Sequence, residues 1–330
     1  LAQQVTLGPA MIAVPAHAHS AQRFITLEAF RRAGFTVAGM LNEPSAAGFE
    51  YTQRQPKTIT SNRTRVVVYD LGGGTFDASL VDVSGLDHQV LSSVGINRLG
   101  GDDFDTVLTQ LALDEAGLDA DSISISDYFE LLLEARDAKE RIAPQTKRIV
   151  LDVDGDPVTI AVDDFYAAAA HLVTATLDVM APLVGGLDAE LTDIAGIYLV
   201  GGASGLPLVP RMLREVFARR VHRSPHPTAS TAIGLAIAAD ETSGYSLTDR
   251  LSRGFGVFRE GSHGATLHFD PLLSRDERIS ATSDTIVVRR YQAAHNIGVF
   301  RFVEYADLTE TGDPKGDLVP FAEVAFAFDP

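Results

Sequence analysis

Asp70-Leu71-Gly72-Gly73-Gly74-Thr75-Phe76-Asp77 is the stretch on which the fold turns. It begins at the end of a β-branched run, Arg65–Leu71. A second run, Thr75–Val83, follows with Phe76, Ala78 and Leu80 on one face at period two. The pattern is strand, tight glycine turn, strand. The first strand delivers Asp70 to its carboxyl end. Three glycines let the backbone approach an anion closely, with amide N–H groups aimed at phosphate oxygens. Thr75 adds a hydroxyl, and Asp70 adds a carboxylate able to hold Mg²⁺ through water. A bare glycine triplet is also a common structural turn, but acidic residues on both sides favour phosphate and metal here.

Outward from this hairpin the chain alternates strand and helix. Upstream, Met11–Val14 reads as a strand ending at Pro15. Ser20 caps a helix over Ala21–Ala33, and Gly34 suits the left-handed exit. Phe35–Leu41 is a second strand, and Pro44 opens a helix over Ser45–Tyr51. Downstream come helices over Phe104–Gly117 and Ser126–Ala143, then a hairpin from Lys147–Val153 and Val158–Val162. A long helix spans Asp163–Val184, and a strand, Ile194–Val200, runs into Gly201-Gly202. Val209, Met212, Leu213, Val216 and Phe217 mark one helical face, and Thr228–Asp240 is a small-residue helix. Beyond about Asp240 short strands dominate. An α/β unit followed by a β unit is the expected architecture.

Composition narrows the function classes. Lys plus Arg is 27 against 44 Asp plus Glu, a net charge of −17, which disfavours wrapping of nucleic acid. Cys is absent, excluding disulfide frameworks, thiolate metal sites and Cys nucleophiles. No apolar run approaches the ~18 residues of a membrane span, and a cytoplasmic location is expected. His17-Ala18-His19 would put two rings on one strand face, but no third metal ligand is evident. His222 and His226 have no clear partner, and no Ser-His-Asp order sits on a nucleophile turn.

Five segments in order carry a family resemblance. Asp70–Asp77 resembles the second phosphate loop of the heat-shock-protein-70 (DnaK-type) chaperones, within the actin-like ATPase superfamily. Val14-Pro15-Ala16 with Arg23, Leu41-Asn42-Glu43-Pro44-Ser45-Ala46-Ala47, Leu99-Gly100-Gly101-Asp102-Asp103-Phe104-Asp105 and Leu199–Pro207 are similar to four further motifs of that family. The resemblance implies an α/β, actin-like (ribonuclease H-like) two-lobed ATPase domain lacking its first segment, followed by part of a β-sandwich domain. On this basis residues 1–58 are the remainder of lobe I. Residues 59–240 are lobe II, with 59–98 and 173–240 as its core and 99–172 as an inserted subdomain. Residues 241–253 are a linker, and 254–330 a partial peptide-binding-like domain. The implied cofactors are ATP/ADP and Mg. Asp70 would act on the metal and the attacking water, Glu43 would sit near the metal's water shell, and Thr75 would join them. Gly72, Gly73, Gly74, Thr75, Lys139, Gly201 and Gly202 would hold nucleotide. Pro15 and Arg23 would relay nucleotide state between domains. The implied partners are unfolded or extended peptides, a J-domain co-chaperone and a nucleotide-exchange factor, with neither nucleic acid nor membrane.

Departures from the pattern matter as much. An Asp-Leu-Gly-Thr type first phosphate loop does not occur in these residues, and the four lysines (Lys57, Lys139, Lys147, Lys315) include no match to the one expected on lobe I. The 330 residues alone are therefore not expected to turn over ATP. In the adenosine pocket Arg136 stands at an acid position. Ala143 and Ala203 replace serines, Gly205 replaces an arginine, and Thr228 replaces an acid. Leu247–Arg253 is more polar than the family's linker, which puts its docking in doubt. Two readings remain open: an ATP-driven chaperone, or a chaperone-like binding or regulatory module with weak or lost ATPase activity. Another actin-like ATPase, a kinase or filament former, is disfavoured by the Asn-Glu-Pro segment and the β-rich tail.

Overall fold

The structure is a computed structural model, and it describes residues 8–16, 18–187, 190–251, 253–275, 277–279, 286–293 and 296–328. The chain begins with a parallel pair, β1 (Ala10–Val14) and β2 (Val37–Asn42), joined across α1 (Ser20–Arg32). Gly34 takes the left-handed exit, with φ of 88°. The cap of α1 differs from the sequence expectation. His19, not Ser20, is the N-cap: its Nδ1 accepts from the Gln22 amide, and the Gln22 side chain accepts from the His19 amide. Imidazole does here what a hydroxyl usually does.

α2 (Glu43–Arg54) leaves β2 without a break, with Pro44 in its first turn. Then come β3 (Arg65–Leu71), β4 (Phe76–Ser84) and β5 (Asp87–Ile96), an antiparallel meander. α3 (Gly101–Ala116) and α4 (Ile125–Glu140) follow, then the hairpin β6 (Arg148–Val153) and β7 (Asp156–Ala161). The long α5 (Val162–Met180) leads to β8 (Ile194–Val200), α6 (Leu208–Phe217), β9 (Val221–Arg223) and α7 (Ser230–Ala239). β10 (Ser246–Arg250), β11 (Gly254–Gly261), β12 (Thr266–Leu273), β13 (Arg278–Ile279), β14 (Ile297–Leu308) and β15 (Pro314–Ala327) complete the order.

One mixed sheet, in the order β13-β10-β5-β4-β3-β8-β9, organises the centre. Because side chains alternate along a strand, β3 feeds two cores. Val67, Tyr69 and Leu71 join the core under α3, α5 and α6, while Val66 and Val68 join a second core with Ala47 and Tyr51 of α2. The sheet is therefore covered on both faces, and β3 and β8 read as near-continuous apolar runs. β12-β11-β14-β15 form a separate four-stranded antiparallel sheet.

Two expectations need correction. The segment around Leu247, read as a polar connection, is strand β10. It pairs in parallel with β5, placing Leu247 opposite His88, and Leu247 packs against the second core. The ladder is made by backbone, which polar side chains do not prevent. The second correction concerns apolar length. The helix over 162–184 is long and apolar enough to cross a membrane by length and composition alone. Its Phe165, Ala169, Val173 and Met180 are buried in the first core, and a core helix of a soluble protein passes the same test.

α7 crosses α2 so closely that a Cβ at Gly234 would run into the Ala46 carbonyl. Gly234→Ala is expected to lower stability by about 2–3 kcal/mol, because the clash is with backbone and no side chain can yield. Thermal denaturation of the purified variant, showing a melting point several degrees lower, checks this.

Candidate functional site

The period-two alternation that builds the two cores also builds the site. Asp70 shares the face of Val66 and Val68, and its register partner across the hairpin is Asp77. Phe76, Ala78 and Leu80 lie in the first core, so Asp77 faces the other way, beside Asp70. That face carries α2, whose first residue is Glu43. Three carboxylates from two strands and one helix start thus meet at one edge. Burial is the main cause lifting the Asp70 carboxyl to about 8, and the Glu43 and Asp77 charges raise it further. Burial, then the charge of Asp77, lifts Glu43 to about 7. Among the described residues no three such groups are placed to grip an ion directly. A hydrated divalent cation suits this donor set, because it would relieve the repulsion without direct ligation. In the sequence Asp77 stands out only as the acid on the far side of the glycines. Its parity with Asp70 on paired strands was the available signal.

The glycine turn divides its amides between structure and solvent. The Gly72 N–H donates to the Thr75 carbonyl at 3.0 Å and closes the turn, so it is not free for an anion. The amides of Gly73, Gly74 and Thr75 have no hydrogen-bond partner among the described residues, and Gly73 and Gly74 are exposed. The start of α3 props the turn from behind. The amides of Gly101 and Asp102 donate to the carbonyls of Gly72 and Gly73 at 2.9 and 2.8 Å, and the Gly100 amide donates to Asp103 Oδ2 at 2.7 Å. A Cβ at Gly100 would collide with the backbone of Gly73.

From the turn a cleft of about 500 Å³ opens between α3, α4 and the Gly202–Pro207 turn. Such a volume is in the range of small-ligand sites. Gly73, Gly101, Lys139, Gly202, Ala203, Gly205 and Thr228 are among its lining residues. Gly201, just before that turn, is in the left-handed region, φ 83°, where a Cβ would strike Asp70 Oδ1 and the Leu71 carbonyl. Lys139 is held by protein groups. Its Nζ lies 2.5 Å from Asp105 Oδ1 and donates to the Gly101 carbonyl at 2.6 Å. It therefore positions α4 against α3 as well as facing the cleft. Asp105, 34 residues away in sequence, could not be recognised as its partner from spacing.

Pro15 and Arg23 stand apart from the carboxylates but connect to them. The Pro15 carbonyl accepts from the Ala18 amide at 3.0 Å. Arg23 donates to the carbonyls of Ala18 and Ala16 and, at 2.7 Å, to Asn42 Oδ1. Asn42 precedes Glu43 and is the N-cap of α2. At the start of α1, the Ser20 amide donates to both carboxylate oxygens of Glu304 on β14, at 3.0 and 3.1 Å. Glu304 is also 3.5 Å from Arg253. Of the histidine pair, His19 is the helix cap and His17 lies outside the described residues.

A two-core sheet flanked by helices, with paired acids at a glycine hairpin above a cleft, defines an actin-like two-lobed α/β ATPase fold, here followed by strands of a β-sandwich. The Hsp70 protein family model matches residues 1–252, so the chain belongs to the Hsp70 family. It is similar to the Chaperone protein HscA homolog of Acinetobacter baumannii, 35% identical over 237 residues, which is 72% of this chain and 38% of that protein. The Chaperone protein HscA homolog of Burkholderia pseudomallei is 36% identical over 239 residues, 71% of this chain and 38% of that protein. The chain thus spans 38% of the length of these relatives.

Proposed function

We propose that the full-length protein is an ATP-dependent chaperone of the Hsp70 type, in which binding and hydrolysis of MgATP gate peptide binding. The observation that carries this is the free amides of Gly73, Gly74 and Thr75 beside the Asp70–Glu43–Asp77 cluster, at the mouth of a nucleoside-sized cleft. In this reading residues 1–58 and 59–240 are the two lobes, 241–253 the linker and 254–330 part of the peptide-binding unit. Its partners are extended peptides, a J-domain co-chaperone and an exchange factor, and its setting is the cytoplasm.

The chain's own groups divide the work. The amides of Gly73, Gly74 and Thr75 and the Thr75 hydroxyl bind and orient phosphate oxygens. Asp70, and through it Glu43 and Asp77, holds water in place for attack and takes up the proton that is released. Gly201 and Gly202 bring the chain close to the nucleotide without side-chain bulk. Mg²⁺, when bound, supplies charge neutralisation on the phosphates and an ordered water shell.

A second reading, a chaperone-like binding or regulatory module with weak or lost ATPase activity, is favoured by the cleft's nucleoside end. Lys139 is tied to Asp105, and Ala143, Ala203, Gly205 and Thr228 leave few polar contacts there. Each missing contact costs about 1 kcal/mol. Calorimetric titration of MgATP and MgADP into the full-length protein separates the two. Binding at micromolar Kd is expected, and no heat above dilution would leave the second reading standing.

A further inference from the structure

Glu50 is a buried acid that the site described so far does not use. It lies on α2, two turns after Glu43, and is 0% exposed. Arg54, one turn further along, stands 3.9 Å away with its side chain half-exposed. A buried carboxylate is costly unless hydrogen bonds meet it. What meets this one is a hydroxyl from a distant loop. Ser224 Oγ donates to Glu50 and lies 3.3 and 3.1 Å from its two carboxylate oxygens. Burial raises the hydroxyl of Tyr198 on β8, and the neighbouring Glu50 charge adds to that rise. Ser224 is itself buried and follows β9, where its amide donates to the Leu199 carbonyl at 3.1 Å. Because its proton goes to Glu50, its oxygen is left to accept, and it accepts from the His226 amide at 3.0 Å. The next residue, Pro227, takes the Gly201 amide on its carbonyl at 2.9 Å. Gly201 is in turn packed so tightly on the Asp70 carboxylate and the Leu71 carbonyl that no Cβ fits. One line of contacts thus runs from the buried middle of α2, through the 224–227 loop, to the backbone that abuts Asp70.

We propose that Glu50 is a positioning residue of this site: by fixing the direction of the Ser224 hydroxyl it holds the 224–227 loop, and through that loop it keeps the Gly201 backbone seated against Asp70. The inference rests on the proposed ATP turnover and adds to it a residue that touches none of the reacting groups. An apolar side chain would fill the same space under α2 at less cost. The carboxylate is therefore explained by the contact it makes rather than by stability. The contact matters because a shift of about 1 Å in the groups around a reacting centre can cost on the order of a hundred-fold in rate. α2 is well suited to the role. Its first residue, Glu43, stands in the carboxylate cluster, so one helix fixes both Glu43 and, through Glu50, the Gly201 backbone.

The test uses the full-length protein and two variants. Glu50→Met keeps the length of the side chain and removes the acceptor, and Glu50→Gln keeps an amide oxygen that still accepts from Ser224. Thermal denaturation, ATP turnover and amide hydrogen exchange are measured on each. Glu50→Met is expected to melt close to wild type, yet to lose roughly ten-fold in kcat, with KM for MgATP changed less. Exchange of the Gly201 and His226 amides should quicken roughly ten-fold, while the β6–β7 hairpin exchanges as in wild type. Glu50→Gln should stay near wild type in all three measurements. A merely structural role predicts instead a lower melting point with the rate per folded molecule unchanged. Unchanged exchange in Glu50→Met overturns the loop contact, and faster exchange with unchanged kcat overturns its bearing on Asp70. Equal losses in the two variants also overturn the proposal, since the hydrogen bond to Ser224 would not be what Glu50 supplies. A wild-type protein that turns over no ATP defeats the underlying function instead, whereas exchange at Gly201 and His226 decides the Glu50 contact by itself.

Discussion

Asp70→Asn should make the ligand-free protein more stable while removing the proposed ATP turnover. The wild-type carboxyl is lifted to about 8 in the folded chain, chiefly by burial, against an ordinary value of 3.8. The folded state therefore holds a proton that the unfolded state gives up between these values. Stability must fall as pH rises from about 4 to about 8, and above that range the full cost of a buried charge remains. Asparagine keeps the shape and removes the titration. The variant should be more stable than wild type by about 2–4 kcal/mol at pH 8, and the difference should vanish near pH 4. Thermal denaturation of the full-length protein at both pH values reads this directly. Turnover of ATP should drop by at least roughly a hundred-fold. Wild-type affinity for MgATP should also tighten from pH 6 to pH 8 as the cluster loses its protons, with a flatter profile in the variant. Equal stability of the two proteins at pH 8 would show that the buried Asp70 charge carries no such cost.

The site was readable because a β-branched run delivers Asp70 to a glycine turn with an acid on either side; its burial beside two other acids, a poor choice for stability, appears only in the structure. The strands around it were readable for a simpler reason: apart from Arg65 and Asp70, β3 and β8 are continuous apolar runs, and length and flanking glycines set their ends. β5 was not recognised, because Asp87-His88-Gln89 and Ser92-Ser93 interrupt its apolar pattern. Its burial comes from neighbours, with His88 stacked on Phe49 at 4.7 Å and held by Thr52 at 3.0 Å. β10 escaped notice because its partner supplies the hydrogen bonds. The cap at His19, the Lys139–Asp105 pair and the Glu50–Ser224 contact depend on pairings that no periodicity records. Local pattern carries elements and turns, while pairing between distant side chains appears only once the sheet is assembled.

One such set of distant contacts ties α1 to the C-terminal sheet through Glu304, and weakening it should uncouple that sheet from the rest of the chain. Arg253 precedes β11 and is almost fully buried. Its Nη1 lies 3.3 Å from Asp317 Oδ2, its Nη2 donates to the Asp317 carbonyl at 2.9 Å, and its Nε lies 3.5 Å from Glu304. Glu304 is 2% exposed and accepts from the Ser20 amide at the start of α1, where a negative charge is favoured. α1 carries Arg23, which holds Asn42 beside Glu43. A continuous set of contacts therefore runs from the carboxylate cluster to the C-terminal sheet, the kind of physical path that coupling between sites requires. Arg253→Ala would leave the Glu304 charge buried with only an amide to meet it, at a cost of about 3 kcal/mol. That corresponds to a shift of roughly a hundred-fold in the equilibrium between the C-terminal sheet docked on α1 and separated from it. Limited proteolysis of the full-length protein should then cut the 241–253 segment much faster in the variant. Any nucleotide-dependent change in peptide affinity should shrink, while MgADP affinity stays near that of wild type. Glu304→Gln should be milder, because its amide oxygen still accepts from Ser20. Equal cleavage rates in wild type and Arg253→Ala would mean that the C-terminal sheet is held by other contacts and that this path carries no coupling.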